Sequence, residues 1–476
     1  MALEDIRRER IRKLERYEAG GRDAYPASIR PSLAIGGVLK RFTALWRAKR
    51  ALAVAGRIRA LRAHGGAAFV DLEDGSGRIQ LYLERSSLGG SYGEALTALD
   101  IGDFIAVSGT PLQTRRGEPT IRVSAWRLIA KSLRPLPDKW HGLKDVEERF
   151  RRRYLDLLMN PEVRRRFELR SAIIRMMRTF LDGRDFHEVE TPLLQAIPGG
   201  ALARPFKTHH NALGVDLYLR VAPELYLKRL IVGGYERVYE LAKVFRNEGV
   251  DATHNPEYTL LEFYAAYWDE EAMMGCVEEL FRVIARKHGA KQYTAKRKFP
   301  RLPFRELLKR YALVIDYDGE TSENLRLRAQ QFGIAIAPNT PREKIADDIF
   351  EKVCRPHLVQ PTFVTEFPLG ISPLAKAKDA SCARRFNLIV GGQEVADGWA
   401  EVNDPRDQER RFREQERVRA GGDEEAHRFD QDFIEALEYG MPPLAGVGIG
   451  IDRLVMLLTD TKNIREVVLF PTLRPK

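Results

Sequence analysis

The sequence predicts a multidomain protein in which a small all-β barrel precedes a larger α+β domain, and three observations carry that reading. Between Ala51 and about residue 133, five short alternating apolar segments are separated by turn residues, with one helical insert among them. A proline-containing stretch follows, Arg134-Pro135-Leu136-Pro137-Asp138-Lys139-Trp140-His141-Gly142, and the composition shifts after it. Farther on, two apolar, β-prone runs, Tyr235 to Phe245 and Tyr258 to Tyr267, flank a polar segment rich in turn formers. That pattern predicts two antiparallel strands joined by a long loop.

With 476 residues the chain is long enough for two or three cores, and its 44% hydrophobic and 30% charged residues are those of a globular protein rather than a disordered one. No apolar run reaches the length of about 18 residues that a membrane span needs. The first residues are charged from Glu4 onward, which argues against a signal peptide, so a cytosolic protein with no membrane partner is expected. Cys276, Cys354 and Cys382 have no CxxC spacing, so neither a disulfide scaffold nor a zinc site is expected. The net charge of +11 suits a polyanionic partner, and its distribution is more telling. From Ala27 to Val70 there are nine Lys or Arg residues and no acid.

In chain order, residues 4 to 20 read as a charged helix ending near Gly20-Gly21, within a basic helical region over 1–50. The barrel is expected over 51–133, and five strands with a helix between the third and fourth follow the order of an OB fold. Such barrels bind single-stranded nucleic acid by stacking bases on aromatic rings across a positive groove. Phe69 and Gln80 are placed on consecutive strands to stack on and hydrogen-bond one base, with Arg57 for a phosphate or base edge. A linker over 134–147 leads to the second domain, 148–476. It opens with a long helix, Val163 to Leu181, and a strand-like FHEVETPLL, and the Gly199-Gly200 pair marks a tight turn. Helices are expected over Asp269 to Lys287, through a mostly helical insert at about 300–358, and over Pro405 to Arg419 and Phe429 to Tyr439. Strands return at PTFVTEFPLGISPLA and FNLIVGGQEVADGWAEVND, and GVGIGIDRLVMLLT is a glycine-spaced strand entering a helix.

The chemical signal centres on the loop after Phe245, where Arg246, Glu248, His254 and Tyr258 cluster. Arg246 suits a phosphate and Tyr258 offers a flat face to a base. An isolated Arg-Asn-Glu tripeptide is as readily a solvated turn. No G-x-x-x-x-G-K-[ST] loop and no GxGxxG is present, so the parallel-sheet nucleotide motifs are excluded.

Three widely spaced pieces carry what ATP binding needs: the helix and strand ending at Pro192, the Arg246 hairpin, and Gly448-Ile449-Gly450-Ile451-Asp452-Arg453. In that order they resemble the three signature motifs of the class II aminoacyl-tRNA synthetases. More narrowly, KWHGLKDVEERFRRRYLDL, PGGALARPFKTHHNAL, LYLRVAPELYLKRLIVGGYERVYEL, FRNEGVDATHNPEYTLLEFYAAY, NDPRDQERRF, ALEYGMPP and GVGIGIDRLVMLLTD resemble the lysyl-tRNA synthetase family. The resemblance implies an OB anticodon-binding barrel with Arg57, Phe69 and Gln80 reading tRNA(Lys), followed by a class II catalytic domain on an antiparallel sheet. It implies ATP and L-lysine as substrates, Mg²⁺ as cofactor, and a homodimer formed through Val163 to Leu194. Arg246 would hold the α-phosphate and carboxylate, Glu248 would orient the nucleotide, and Arg453 would cover the adenine opposite Tyr258, with His254 and Asn255 steadying phosphates and base. Glu394 would ligate Mg²⁺. Glu224, Glu262 and Glu401 would surround the substrate amines, with Tyr264 beside the ε-ammonium and Gly200 also at the lysine site.

Three departures stand out against the family pattern. Asp397-Gly398-Trp399 stands where the family has Asn-Gly-Phe, and an ionised Asp397 would repel the substrate carboxylate unless a cation or proton intervenes. Asn387 replaces the family's first metal-binding Glu, which weakens one Mg²⁺ site. Lys376 to Arg385 is somewhat short. A ligase that uses a lysine analogue, or that lysylates a protein, is therefore the rival reading.

Overall fold

The structure is a computed structural model that describes residues 3–137, 145–288, 290, 293, 298–421 and 425–475. Residues 138–144 of the expected linker lie outside that set. The chain forms two compact units, Met1–Gly142 and Leu143–Lys476.

The first unit is a closed barrel of β1 (Leu52–His64), β2 (Ala67–Glu73), β3 (Arg78–Glu84), β4 (Phe104–Gln113) and β5 (Pro119–Ala130). Its order is β1-β2-β3-β5-β4, with β3 and β5 parallel and the other pairs antiparallel. Alternation decides which side chains point inward: Val54, Ile58, Val70, Leu72, Leu81 and Leu83 are buried, while Phe69 and Gln80 fall on the outward face. The residues before the barrel share its core. Helices Leu3–Ala19, Ile35–Lys40 and Phe42–Arg47 bury Tyr17, Ile35, Val38, Phe42 and Leu45 against barrel residues. The Arg10 guanidinium also donates to the Ser132 carbonyl at 2.6 Å.

The second unit is built on eight strands: β6 (His187–Glu188), β10 (Arg237–Phe245), β11 (Glu257–Ala266), β12 (Arg301–Pro303), β13 (Thr362–Thr365), β14 (Arg385–Val390), β15 (Gln393–Ala400) and β16 (Leu444–Gly450). Their order is β12-β13-β14-β15-β16-β11-β10-β6, antiparallel except at the two outermost pairs. A second sheet joins β7 (Leu194–Gln195), β8 (Lys207–His210) and β9 (Val215–Leu219). The strand-like FHEVETPLL is thus divided between two sheets, and only three of its residues, His187, Glu188 and Leu194, are in strands.

One face of the large sheet is apolar. Leu261, Phe263, Ala265, Val447, Ile449, Ala396, Leu388 and Phe386 pack against helices Pro161–Asp182, Glu270–Lys287 and Ile451–Leu458. Residues one position along each strand must then face the other way, which is where the acids and glycines lie. Among the described residues no helix is long and apolar enough to cross a membrane, and Cys276, Cys354 and Cys382 are buried and free.

Candidate active site

Register places the polar residues in two rows across the sheet. Glu240, Glu262, Gly448, Asp397 and Asn387 are paired in sequence from β10 to β14. Two residues along, Tyr264, Gly446, Trp399 and Arg385 form the next row. Glycine at the central strand leaves a floor without side chains. Gly446 is also required sterically, since a Cβ there would lie 2.1 Å from Tyr264 Cε1 and 2.6 Å from Glu401 Oε1.

Above this floor is a cleft of about 500 Å³ lined by Gly200, Glu224, Arg246, Glu248, His254, Asn255, Tyr258, Glu262, Tyr264, Glu394, Asp397, Trp399 and Arg453. Thirteen of the expected site residues therefore meet in one place. Glu401 and Asn387 stand behind it, touching lining residues, and Arg57, Phe69 and Gln80 belong to the barrel.

At one end the β10–β11 loop is held at its neck by the Arg246 N–H donating to the Pro256 carbonyl at 2.9 Å. The Arg246 guanidinium lies 5.4 Å from the Tyr258 ring centroid, and its buried Nε has no partner. Burial alone would lower the pKa of Arg246; the Tyr258 phenol and the nearby Glu248, Glu394 and Glu262 carboxylates raise it overall, so it stays a cation. Asp251 organises the loop, accepting from the Thr253 and His254 backbone and pairing with His254 Nδ1 at 2.9 Å. Arg453 Nη2 meets His254 Nε2 at 3.2 Å, and its Nη1 lies 3.5 Å from Glu394. The Asn255 amide donates to the Glu257 carbonyl at 2.6 Å and leaves a buried Oδ1 without a partner.

Asp452, next to Arg453, serves the scaffold. It accepts from the Thr259 N–H at 2.8 Å and from Arg170 Nη1 at 2.7 Å, so it ties β11 to the helix Pro161–Asp182.

The other end is a slot of carboxylates. Glu224 opens the helix Glu224–Val232, and Gly200, at φ +90°, passes so close that a Cβ would lie 2.8 Å from Glu224 Cβ. Tyr264 donates to Glu262 at 3.1 Å, and Trp399 Nε1 donates to Glu401 at 2.5 Å. Lys228, one helical turn after Glu224, lies 2.5 Å from both Glu224 and Glu401. Burial drives the Glu262 carboxyl well above its ordinary range, with Glu224 adding to it. Burial likewise pushes Glu401 up to about 8 although Lys228 pulls it back.

The structure answers the question raised by Asp397. Arg385 grips it with two parallel bonds, Nε to Oδ1 at 2.9 Å and Nη2 to Oδ2 at 2.8 Å. Burial raises the Asp397 carboxyl to about 6, with Arg385 opposing that rise. The required cation is built in, and a neutral pair stands where the family has a neutral amide.

For a metal, the described residues contain no group of three His, Cys, Asp or Glu side chains able to hold one. Glu394 nevertheless offers a carboxylate in the cleft, and Asn387 donates to it at 2.7 Å while keeping a buried Oδ1 unpartnered. That oxygen set fits a hard cation that arrives already held by phosphate oxygens and water.

The barrel residues are only partly assembled. Phe69 pairs with Tyr82 across β2 and β3, with ring centroids 5.2 Å apart, and Gln80 sits two pairs along, opposite Asp71. This makes a two-ring platform beside an amide. Arg57 stands apart: it is opposite Glu73, four residues farther along β2, donates to the Gly102 carbonyl at 3.0 Å and covers the Phe104 ring at 4.2 Å. Of the nine cations between Ala27 and Val70, Arg57 and Arg59 are drawn into the barrel wall, and the other seven are exposed. Tyr82, Lys228 and Arg385 were absent from the sequence-based site; each is revealed by strand or helix pairing.

Comparison with known proteins agrees with this geometry. Residues 145–474 match the family described as tRNA synthetases class II (D, K and N), and residues 52–129 match the OB-fold nucleic acid binding domain. The chain is 48% identical over 486 residues to the lysine–tRNA ligase of Moorella thermoacetica, covering 100% of this chain and 99% of that one. It is 48% identical to the lysine–tRNA ligase of Roseiflexus castenholzii over the whole of both chains. It is 46% identical to the heat-inducible lysine–tRNA ligase of Escherichia coli over 89% of this chain and 86% of that one. An antiparallel sheet carrying the Arg246 hairpin and the glycine-spaced last strand, preceded by an OB barrel, thus places the chain in the class II tRNA synthetase family.

Proposed function

We infer that this chain activates lysine with ATP and transfers it to tRNA, the reaction of a lysine–tRNA ligase. The observation that carries the amino acid is the slot of Glu224, Glu262 and Glu401 beside Tyr264, with Arg246 at its mouth. An ammonium among buried carboxylates is well held, while a neutral or acidic side chain leaves them unpaired at a cost of several kcal/mol, to about that order.

In this reading lysine lies with its ammonium groups among the acids and its carboxylate toward Arg246. That carboxylate attacks the α-phosphorus of ATP in line; a new P–O bond forms as the bond to pyrophosphate breaks. No protein nucleophile is needed, because alignment and charge stabilisation supply the rate. Arg246 meets the charge that develops on the α-phosphate, Tyr258 and Arg453 sandwich the adenine, and Glu248, His254 and Asn255 fix the nucleotide. Mg²⁺, when carried in by ATP, would neutralise phosphate charge and would be held by Glu394 and the Asn387 Oδ1. The terminal ribose hydroxyl of tRNA(Lys) then attacks the adenylate carbonyl and AMP leaves. The reading includes a homodimer through the region of Val163 to Leu194, where Leu193 and Leu194 are exposed, and a cytoplasmic location. Light scattering of the purified chain tests the dimer.

Exchange of pyrophosphate into ATP, surveyed over all amino acids and followed by charging of total tRNA, tests the whole proposal. Lysine alone should support exchange, and tRNA(Lys) alone should be charged. The analogue reading loses ground because Arg385 neutralises Asp397, and the Phe69–Tyr82 platform favours tRNA over a protein acceptor.

Two further results are expected. Glu401 binds a proton below about 8 in the empty slot, whereas an incoming ammonium favours the ionised carboxylate. Lysine binding therefore releases a proton at neutral pH, and its affinity falls about tenfold per pH unit as pH drops from 8 to 6, one proton being worth about one decade per unit. Calorimetry in buffers of different ionisation heat reads that proton directly; a dissociation constant unchanged over this range would refute the assignment. Second, the seven exposed cations before Val70 should make tRNA binding salt-sensitive. If about three phosphates are contacted, affinity falls about tenfold for each threefold rise in salt. A flat dependence would remove that face from the tRNA interface.

A further inference from the structure

Among the described residues, Lys228 is the one ammonium that the chain itself inserts among these acids. Its side chain is 1% exposed, those of Glu224 and Glu401 are 2% and 0% exposed, and both Nζ–O distances are 2.5 Å. It does not line the cleft, so it reaches the substrate only through its two partners. Removing three charges from water is expensive, and buried ion pairs of this kind are often no more stable than apolar side chains of the same volume. Stability is thus a weak reason for Lys228 to be there.

Charge counting supplies a stronger one. The slot gathers four carboxylates, Glu224, Glu262, Glu401 and Asp397, and two internal cations, Lys228 and Arg385. Arg385 is fully engaged with Asp397, and Lys228 answers one charge of the Glu224–Glu401 pair. Once incoming ammonium groups have displaced the proton held by Glu401, all four carboxylates are ionised and two negative charges remain, the number of ammonium groups on a free diamino acid. Glu401 Oε1 is meanwhile buried without a partner, so one acceptor of the pair stays open while the other oxygen is tied down by Lys228 and Trp399 Nε1.

We propose that Lys228 is a specificity-determining positioning residue: a built-in ammonium that holds Glu224 and Glu401 at a fixed separation and sets the slot's charge excess to match two substrate amines. The proposal rests on the reading of the slot as the lysine site. An α-amino acid with one ammonium leaves a carboxylate unanswered in this arrangement, and without Lys228 the two glutamates repel, one of them loses its place, and a diamino acid no longer fits.

The experiment uses full-length enzyme and ATP–pyrophosphate exchange, with lysine varied at saturating ATP. Wild-type exchange must first depend on lysine; if it does not, the functional reading fails and the role of Lys228 falls with it. With that in hand, Lys228→Met, nearly the same length and uncharged, should raise the lysine KM by about 10- to 100-fold, the scale of one lost buried charge contact. The ATP KM and the kcat at saturating lysine should stay within about threefold, as expected when ground-state and transition-state binding are lost together. Lys228→Ala leaves a cavity that propylammonium can enter, and millimolar propylamine should restore the lysine KM while the isosteric propan-1-ol does not. A lysine KM within twofold of wild type in Lys228→Met overturns the proposal. So does a parallel loss of lysine and ATP affinity that propylamine leaves unchanged, because that pattern belongs to a side chain that merely fills the fold.

Discussion

Arg246→Ala should lower ATP–pyrophosphate exchange by about 10³-fold or more while tRNA binding stays near wild type. Loss of one preorganised donor to developing charge costs about 10²–10³ in rate, and here the donor is a full cation. Among the described residues, the other arginines lining the cleft are engaged elsewhere: Arg453 is directed to His254 and Glu394, and Arg385 is committed to Asp397. The Phe69–Tyr82 ring pair proposed to meet tRNA belongs to the other compact unit, so tRNA binding should survive the change, and an unaltered thermal unfolding transition reports that the mutated unit is folded. Exchange at the wild-type rate in this variant would take Arg246 out of the chemistry.

A smaller change should be nearly as damaging to lysine. Gly446→Ala adds a methyl group 2.1 Å from Tyr264 Cε1, in a row closed by Trp399 on its other side. Overpacking costs about 1–3 kcal/mol, and here the strain is relieved most easily by turning the Tyr264 ring, which breaks its bond to Glu262 and intrudes on the slot. Lysine KM should therefore rise by about 5- to 150-fold, the same energy expressed as affinity. The ATP KM should hardly move, since Tyr258 lies six residues away along β11. A normal lysine KM would mean that Tyr264 does not shape the slot.

Much of this was legible in the sequence because strand periodicity is local. Glu262 and Tyr264 were legible as site residues through the family resemblance, and that they share a face, as do Gly446, Gly448 and Gly450 on the last strand, agrees with a spacing of two. The hairpin at Arg246 and the long helix at Val163 were readable for similar reasons. What escaped depends on pairing between distant segments. Arg385 meets Asp397 only because β14 and β15 pair with an irregularity between Leu388 and Ile389, and no local rule supplies that register. The helix Glu224–Val232 lies between Pro223 and Gly233 and is only nine residues long, so its signal was weak. Had it been read as helical, the four-residue spacing of Glu224 and Lys228 would have placed both on one side. The hairpin of β8 and β9 was missed as well, its residues being largely exposed and without a clear alternation.

The rows across the sheet also divide inheritance from novelty. Asp397 and Trp399 are on β15 and Asn387 is on β14, so every substitution noted against the family pattern lies on one flank of β16. The opposite flank, β11 and β10, carries Tyr258, Glu262, Tyr264 and the loop of Arg246 with none. A laboratory that wished to teach this scaffold a new amino acid would therefore have a natural seam to work along, rewriting β15 around Asp397 and Trp399 while keeping Glu394 and Asn387 of the same hairpin for the nucleotide.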